Sequence, residues 1–514
     1  MEKRVVKNSV IMICLYAITK IAGFAKEMLM ANYYGASMIT DAYNVVVTMS
    51  STFFEGITTA IVVGYLVIVT KETDEEKVNG ITSRVISVFA TAVFIISLIA
   101  TVFAKQTCSI LAVGFDKETM DLTVHMARLI LPFSALFVAK NVIGGYLQSK
   151  NIFWFTGAGN FIMNMVLILS IIISFGNTNV LALGYSAATV MVWLVGWIAA
   201  RRQSFRFRYA IKWDDALKQT VKLAVPVFIT QTIVELNLII DRNFASVLGS
   251  GMVSMFNYAN KVYVLFVAVF AQAFATAIFP DLSSIGAKSE EKFRHMVKQA
   301  LEMIALVMVP VALFVTVKAQ DIVEIVFLRG AFGQSDADIT ARILCIYALA
   351  IPAVALTEML NKCFYAVSKA KEPMWAGVAA LVMNVVGNFA FIWLWGYIGL
   401  AVSTVISTWG LVLILMAGLI KNIKKFEMGS LIKNILRILA SSVIGCGVVW
   451  LMDRNITLSG GNILGKIALV AVEFLVLVVL YLVTAYLFRL SYVKDFIKIG
   501  KKLLNRVKIK KEKE

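Results

Sequence analysis

Charged side chains lie inside the first long apolar stretch of this chain, between residues 10 and 69, and include Lys20, Lys26 and Asp41. A charge at bilayer depth costs about 2.5–3.5 kcal/mol even on permissive insertion scales, so it usually faces a partner or a water-filled cavity. In a cavity, the two lysines could neutralise an anion. The alternative is that the lysines extend to the membrane surface and form local ion pairs with Glu27 or Asp41.

Two further lysines lie within apolar segments. Lys261 stands in the middle of NYANKVYVLF, where a lone lysine is difficult to explain by structure alone. The two halves of the chain resemble each other, and in that comparison Lys140 of the first half falls near Glu358 and Lys362 of the second half. Both lysines are candidates to face the same cavity as the first two.

Oxygen-bearing side chains in other apolar segments could bind a hard cation such as sodium. Asn384 and Asn388 have the four-residue spacing of one helix face, and Thr404 lies in the next segment. A carboxylate would come from Glu235 or Asp241 in an earlier segment. Hydrogen bonding between helices is the commoner use of Asn and Thr in membranes, and it is the alternative.

The composition indicates a membrane protein built from helices. Of the 514 residues, 60% are hydrophobic and 16% are charged, whereas soluble domains carry about 25% charged residues. The mean hydropathy is +0.83, and the apolar segments are long enough to cross a hydrocarbon core of about 30 Å. We expect an all-α integral membrane protein with about 14 transmembrane helices.

Sequence patterns of catalysis are missing. No GxxxxGK[ST] pattern for nucleotides occurs, and neither the two histidines nor the five cysteines have metal-ligand spacing. We therefore expect no enzymatic activity, and no cofactor other than a coupling ion.

Basic residues concentrate on alternate connections between the apolar segments. Five lie in 201–212 and four in 288–298, whereas 176–179 and 249–251 contain none. The positive-inside rule then places both termini in the cytoplasm. The net charge of +18 and the basic tail at 491–514 therefore indicate topology and contact with anionic lipids, not a nucleic-acid partner.

The two halves of the chain resemble each other at an offset of about 214–220 residues. Four patterns recur in the same order: Ala31-x3-Gly35 and Ala245-x3-Gly249, Leu131-Pro132 and Ile351-Pro352, Met163-Asn164 and Met383-Asn384, Gly184-x4-Thr189 and Gly399-x4-Thr404. Six spans per half return the chain to the same side, so the repeats are parallel. Such pairs typically enclose a transport site between them.

This repeat predicts the domain organisation. We expect two six-helix lobes at 1–212 and 213–425, two additional helices within 426–490, and a basic cytoplasmic tail at 491–514.

The segment ITKIAGFAKEMLMANYYGASMITDAY resembles the signature of the MurJ/MviN lipid II flippases, which belong to the MOP exporter superfamily. Lys20 and Lys26 stand where that family has arginines. MFNYANKV and AIFPDLSS resemble later segments of the family, with Lys261 on another arginine position. The resemblance extends from one end of the chain to the other.

The resemblance implies that the protein moves an undecaprenyl-pyrophosphate-linked peptidoglycan precursor, lipid II, to the outer leaflet of the cytoplasmic membrane. Alternating access, coupled to the membrane potential or to sodium, would drive the movement. The two additional helices would provide a groove for the lipid tail. The candidate substrate-binding residues are Lys20, Lys26, Asp41, Lys140 and Lys261, with Asp41 positioning a lysine or gating the outer side. The candidate sodium ligands are Glu235, Asn384, Asn388, the carbonyl of Leu400, and Thr404.

Two departures from the family pattern concern the substrate. The segment TMSSTFFEG has no base where the family has an arginine pair, and lysine offers phosphate a point charge instead of a bidentate fork. A flippase for another undecaprenyl-linked oligosaccharide is therefore the first alternative. A drug antiporter of the same superfamily and a membrane scaffold without transport activity are the others.

Overall fold

The computed structural model describes residues 2–51, 54, 56–150, 152–267, 282, 289–367, 369, 371–422, 426–455, 463–488 and 490. Within these ranges the chain is helical apart from turns and connections, and it contains no strand. The basic tail and all but one residue of AIFPDLSS lie outside the described residues. The predictions about both segments stay predictions.

Nineteen α-helices follow one another in the described residues: α1 (Glu2–Tyr34), α2 (Met38–Ser50), α3 (Gly56–Val69), α4 (Glu75–Val102), α5 (Ala104–Leu111), α6 (Lys117–Ile130), α7 (Ala135–Ser149), α8 (Trp154–Ser174), α9 (Thr178–Arg201), α10 (Asp215–Val247), α11 (Met252–Val267), α12 (Glu290–Val317), α13 (Ala319–Phe327), α14 (Gln334–Ala348), α15 (Ile351–Ala366), α16 (Lys371–Trp395), α17 (Tyr397–Asn422), α18 (Met428–Asn455) and α19 (Ile463–Leu487). A 3₁₀ segment, Leu131–Ser134, joins α6 to α7.

Nine helical segments of the described ranges are long and apolar enough to cross a membrane. The pair α14 and α15, bent by 43°, would be a tenth. The expectation of an all-α membrane protein is therefore confirmed, whereas the number of about 14 spans stays a prediction.

The repeated sequence patterns produce the same local breaks in both halves. Gly35 and Gly249 follow α1 and α10 with positive φ angles of 63° and 125°, a conformation that glycine adopts without a steric penalty. Pro132 and Pro352 lie at the first positions of the 3₁₀ segment and of α15, where the missing N–H group is not needed. The sequence repeat thus has a counterpart in the backbone.

The chain forms two compact units. Unit 1 consists of Met1–Tyr258 and Phe327–Asp336, and unit 2 consists of Ala259–Val326 and Ala337–Glu514. The units do not divide at residue 213, because α10 and the start of α11 belong to unit 1. The six-helix lobes describe the sequence repeat and stay a prediction.

Polar contacts position the helices within each unit. In unit 1, Thr19 of α1 donates to the carbonyl of Gly157 over 3.1 Å, and Asn164 of α8 donates back to the Thr19 carbonyl over 3.3 Å. In unit 2, the Tyr481 hydroxyl of α19 donates to the carbonyl of Leu306 on α12 over 2.8 Å. The last helix is therefore tied to α12 of the repeat that precedes it.

Candidate functional site

The two lysines of α1 have different surroundings. Lys20 is exposed, whereas Lys26 is half-buried and its Nζ lies 2.9 Å from Glu27 Oε1. The helix is continuous through Gly23, so six residues place the two lysines about 120° apart around its axis. The local ion pair of Lys26 with Glu27 is thus present. An anion at Lys26 would have to compete with this carboxylate.

Asp41 is fully buried near the start of α2, and its carboxylate is bound by the start of α11. It accepts hydrogen bonds from the Gly251 N–H over 2.6 Å, the Ser254 N–H over 2.7 Å and the Ser254 hydroxyl over 2.5 Å. A carboxylate is favourable at a helix N-terminus, where free N–H groups point outward and the helix dipole is positive. The described partners of Asp41 are backbone and hydroxyl donors of this helix start, and its pairing with Lys20 or Lys26 stays a prediction.

Asn44, one helical turn after Asp41, extends this contact. Its amide nitrogen donates to the Ser254 hydroxyl over 3.3 Å, and its amide oxygen accepts from Asn257 over 3.4 Å. The Tyr258 hydroxyl donates to the carbonyl of Gly35 over 3.2 Å. We call Gly35, Asp41, Asn44, Gly251, Ser254 and Tyr258 the clasp.

Close backbone approaches surround the clasp. A Cβ atom on Gly35 would lie 2.5 Å from the carbonyl oxygen of Ala331, and the Ala331 N–H donates to the carbonyl of Asn32 over 2.8 Å. The ring of Tyr258 packs at 4.9 Å from that of Phe327. Within unit 1, the clasp therefore joins the adjacent ends of α1, α2 and α11 in a tightly packed arrangement.

Sequence reasoning missed Arg242 on α10. Its guanidinium donates to the carbonyl of Asn44 over 3.2 Å, and it interacts electrostatically with Glu27 and Glu235. The sequence repeat could have indicated it. At the 214-residue offset of Gly35 and Gly249, Asp241, which precedes Arg242, is equivalent to Glu27. A charged pair therefore lies near the same point of both repeats.

The remaining predicted cations differ in environment. Lys140 on α7 is buried, and its Nζ lies 4.4 Å from the ring centroid of Phe137, a distance that allows a cation–π contact. Lys261 on α11 is exposed and belongs to unit 2. The role of either lysine as a substrate ligand stays a prediction.

Four of the five predicted sodium ligands lie in unit 2. Asn384 and Asn388 on α16 are fully buried, and the Asn388 amide donates to Asn384 Oδ1 over 3.1 Å. On α17, the Thr404 hydroxyl donates to the carbonyl of Leu400 over 3.2 Å. Glu235, the fifth, is half-buried on α10 in unit 1.

The chemistry of these four residues fits a hard cation. Amide, hydroxyl and carbonyl oxygens are ligands that such a cation prefers. The buried Asn384 Nδ2 has no hydrogen-bond partner among the described residues. A half-turn of both amides would keep the hydrogen bond between Asn384 and Asn388 and place an oxygen at this position. Leaving a buried polar atom unsatisfied costs about 1–3 kcal/mol, so the position suits a ligand that the fold does not supply.

Comparison with known proteins gives one consistent family. The family model described as "Lipid II flippase MurJ" matches residues 30–464. The proteins named "Probable lipid II flippase MurJ" of Rhizobium tropici and Rickettsia prowazekii are 25% and 22% identical to this chain. The alignments cover 91% of both chains in the first case, and 78% of this chain and 81% of the relative in the second.

Solved structures share the fold. A lipid II flippase MurJ in an inward closed conformation superposes with a TM-score of 0.81 at 22% identity, over 95% of this chain and 100% of that one. An inward-facing multidrug resistance MATE transporter of the MOP superfamily gives a TM-score of 0.62 at 16% identity, over 80% and 97%.

Proposed function

The chain belongs to the MurJ family of lipid II flippases, and on that premise we propose that it carries lipid II from the inner to the outer leaflet of the bacterial cytoplasmic membrane. The family favours lipid II over another undecaprenyl-linked oligosaccharide and over drug antiport. Alternating opening of the two sides of the membrane would move the head group, while the lipid tail stays in the bilayer.

The lysines would neutralise the pyrophosphate of the head group. Lys26 is engaged with Glu27, so we propose that binding exchanges this carboxylate for a phosphate oxygen. Arg242 interacts with the same carboxylate and would provide the bidentate guanidinium that the lysines lack. Lys20, Lys140 and Lys261 complete the proposed set.

We propose that the clasp closes the outer side of the transport path, and the three hydrogen bonds to Asp41 support this role. With the N-terminus in the cytoplasm, α1 runs outward and the clasp lies on the outer side. A hydrogen bond to a charged group contributes about 1.5–3 kcal/mol. Opening the outer side therefore requires an opposing free energy, which binding of substrate or of a coupling ion would supply.

Sodium is the proposed coupling ion. Asn384, Asn388, Leu400 and Thr404 of unit 2 would bind it, and the ion would supply a positive charge that orients these oxygens. Glu235 stays the carboxylate that the sequence predicts. A ligand that binds only the folded protein raises its stability by about 2.7 kcal/mol at 100 times its dissociation constant. Sodium should therefore raise the unfolding temperature of the purified protein, potassium should not, and Asn384→Ala should remove the effect. No sodium effect on the wild type would reject this site.

Complementation of a conditional lipid II flippase mutant tests the function. The wild-type chain should restore growth, and Lys26→Ala and Lys261→Ala should not, because each removes a positive charge for the pyrophosphate. Failure of the wild type at normal membrane expression would reject transport of lipid II. Growth with both variants would favour the scaffold alternative.

The topology is part of the proposal. Both termini would face the cytoplasm, and the tail at 491–514 would bind anionic lipids. Labelling of single cysteines introduced near each terminus with a membrane-impermeant reagent tests this, since labelling of intact cells would contradict it.

A further inference from the structure

A fully buried lysine in unit 2 is surrounded by three carboxylates. Lys318 follows the end of α12, and its Nζ lies 2.7 Å from Asp321 Oδ2, 2.5 Å from Asp453 Oδ1 and 2.8 Å from Glu473 Oε2. The carboxylates come from α13, α18 and α19. We call these four residues the Lys318 cluster.

The Lys318 cluster has more negative than positive charge. If all three carboxylates were ionised, one ammonium would face three negative charges. In the neighbouring pair, Lys466 Nζ lies 2.7 Å from Glu324 Oε2. The two opposite charges cancel, so this pair adds no net charge beside the Lys318 cluster. On the same helices, a buried apolar group consists of Phe314 of α12, Cys446 and Val449 of α18, and Leu477 of α19. None of these supplies a positive charge.

The three carboxylates differ in their access to water. Asp321 and Asp453 have side chains 29% and 39% exposed, whereas the side chain of Glu473 is 0% exposed. The buried Glu473 Oε1 has no hydrogen-bond partner among the described residues. Water can stabilise the charge of the two aspartates but not that of Glu473.

We propose that Glu473 binds a proton, which it exchanges with water through Asp453 and Asp321. The bound proton converts the Glu473 carboxylate into a neutral carboxyl group, so that Lys318 faces two negative charges that water also solvates. Acidic side chains that are buried in apolar surroundings commonly take up a proton, because burial disfavours their charged form. The reaction requires only a proton from water.

The position of Glu473 gives this proton a consequence. On α19, Phe474 directly follows Glu473 and lines, together with Tyr481 about two turns further on, an apolar cavity of about 210 Å³ against Pro310 of α12. Loss of the proton would leave a buried charge at the end of this cavity, and repulsion from Asp453 would push α19 away from α18. The proton therefore controls how closely α19 packs, independently of which lipid the protein transports.

Isotope-edited infrared spectroscopy of the full-length protein in nanodiscs tests the proposal. The difference spectrum between the wild type and Glu473→Gln at neutral pH should contain the carbonyl stretch of a protonated carboxyl group. Absence of this band from the difference spectrum, with a variant that is folded, would overturn the proposal.

Thermal unfolding gives a second measurement. Glutamine resembles the neutral carboxyl group but takes up no proton on folding, so Glu473→Gln should unfold at a higher temperature than the wild type at neutral pH. Raising the pH should lower the unfolding temperature of the wild type, through deprotonation of Glu473, but not that of the variant. The matched control Glu324→Gln, which breaks the balanced pair, should keep the pH dependence. An equal pH dependence in the wild type and Glu473→Gln would contradict a proton on Glu473.

A third variant keeps the proposal testable if Glu473→Gln does not fold. Asp453→Asn removes one negative charge from a half-exposed position. Glu473 should then release its proton at lower pH, and its infrared band should disappear at lower pH than in the wild type. An unchanged titration of the band would overturn the proposal.

Discussion

The clasp and the Lys318 cluster both bury carboxylates, but they stabilise them in opposite ways. Asp41 is bound by the uncharged donors of Gly251 and Ser254, whereas the Lys318 cluster uses one formal positive charge. When uncharged donors separate from a carboxylate, water can replace them and no second charge is left unpaired. Separation of a buried ion pair leaves two charges to be solvated. The clasp is therefore suited to open and close, and the Lys318 cluster to remain assembled while Glu473 keeps its proton.

Removal of the lysine should have the largest effect. Lys318→Met removes the buried positive charge that Asp321 and Asp453 share, and breaking a buried ion pair in this way costs about 3–5 kcal/mol. We expect a large loss of folded protein and a lower unfolding temperature. The control Lys466→Met, in the half-exposed neighbouring pair, should cost at most about 1 kcal/mol. Similar stability of the two variants would show that the Lys318 cluster is not a permanent connection.

Asp41→Asn should have the next largest effect, because an uncharged amide accepts weaker hydrogen bonds. We expect a loss of about 2–3 kcal/mol and faster hydrogen exchange at the Gly251 and Ser254 amides. Ser254→Ala, which removes one donor, should cost about 1 kcal/mol. Unchanged exchange in Asp41→Asn would refute the role of Asp41 in closing the clasp.

Gly35→Ala should weaken the clasp through the backbone. Its φ of 63° disfavours a side chain, and the added Cβ would overlap the carbonyl of Ala331, so the expected cost is about 1–3 kcal/mol. Gly447→Ala is the matched control, because Gly447 lies inside α18 with no atom within 4 Å of its added Cβ. Alanine there should be neutral or stabilising, by up to about 1 kcal/mol. Equal unfolding temperatures of the two variants would contradict the strained turn.

Lys26→Gln should have the smallest effect on stability. The side chains of Lys26 and Glu27 are 17% and 7% exposed, but Arg242 remains to interact with Glu27, so Glu27 keeps a positive charge nearby and little stability should be lost. Lipid II transport in proteoliposomes should nevertheless be lost, because the variant removes a positive charge for pyrophosphate. A stable variant with full transport would remove Lys26 from the proposed substrate site.

The residues of the candidate site were predictable to different degrees. Asn384 and Asn388 are four residues apart on one helix, so their contact follows from helical geometry. The ion pair of Lys26 with Glu27 joins neighbours in sequence and was predicted as an alternative. The partner of Asp41 lies more than 200 residues away, and no local pattern in the sequence indicates which residue that is.

Composition and periodicity by themselves determined that the chain forms membrane helices, because a long apolar segment in lipid must satisfy its backbone hydrogen bonds internally. The repeat and the motif of α1 determined the family resemblance. Only the tertiary structure decided which buried charges meet: Asp41 with the start of α11, Arg242 with Asn44, and Lys318 with three carboxylates from three helices. The physical reason is that a buried charge is stabilised by partner groups only a few ångströms away. Folding decides which residues, distant in sequence, come that close.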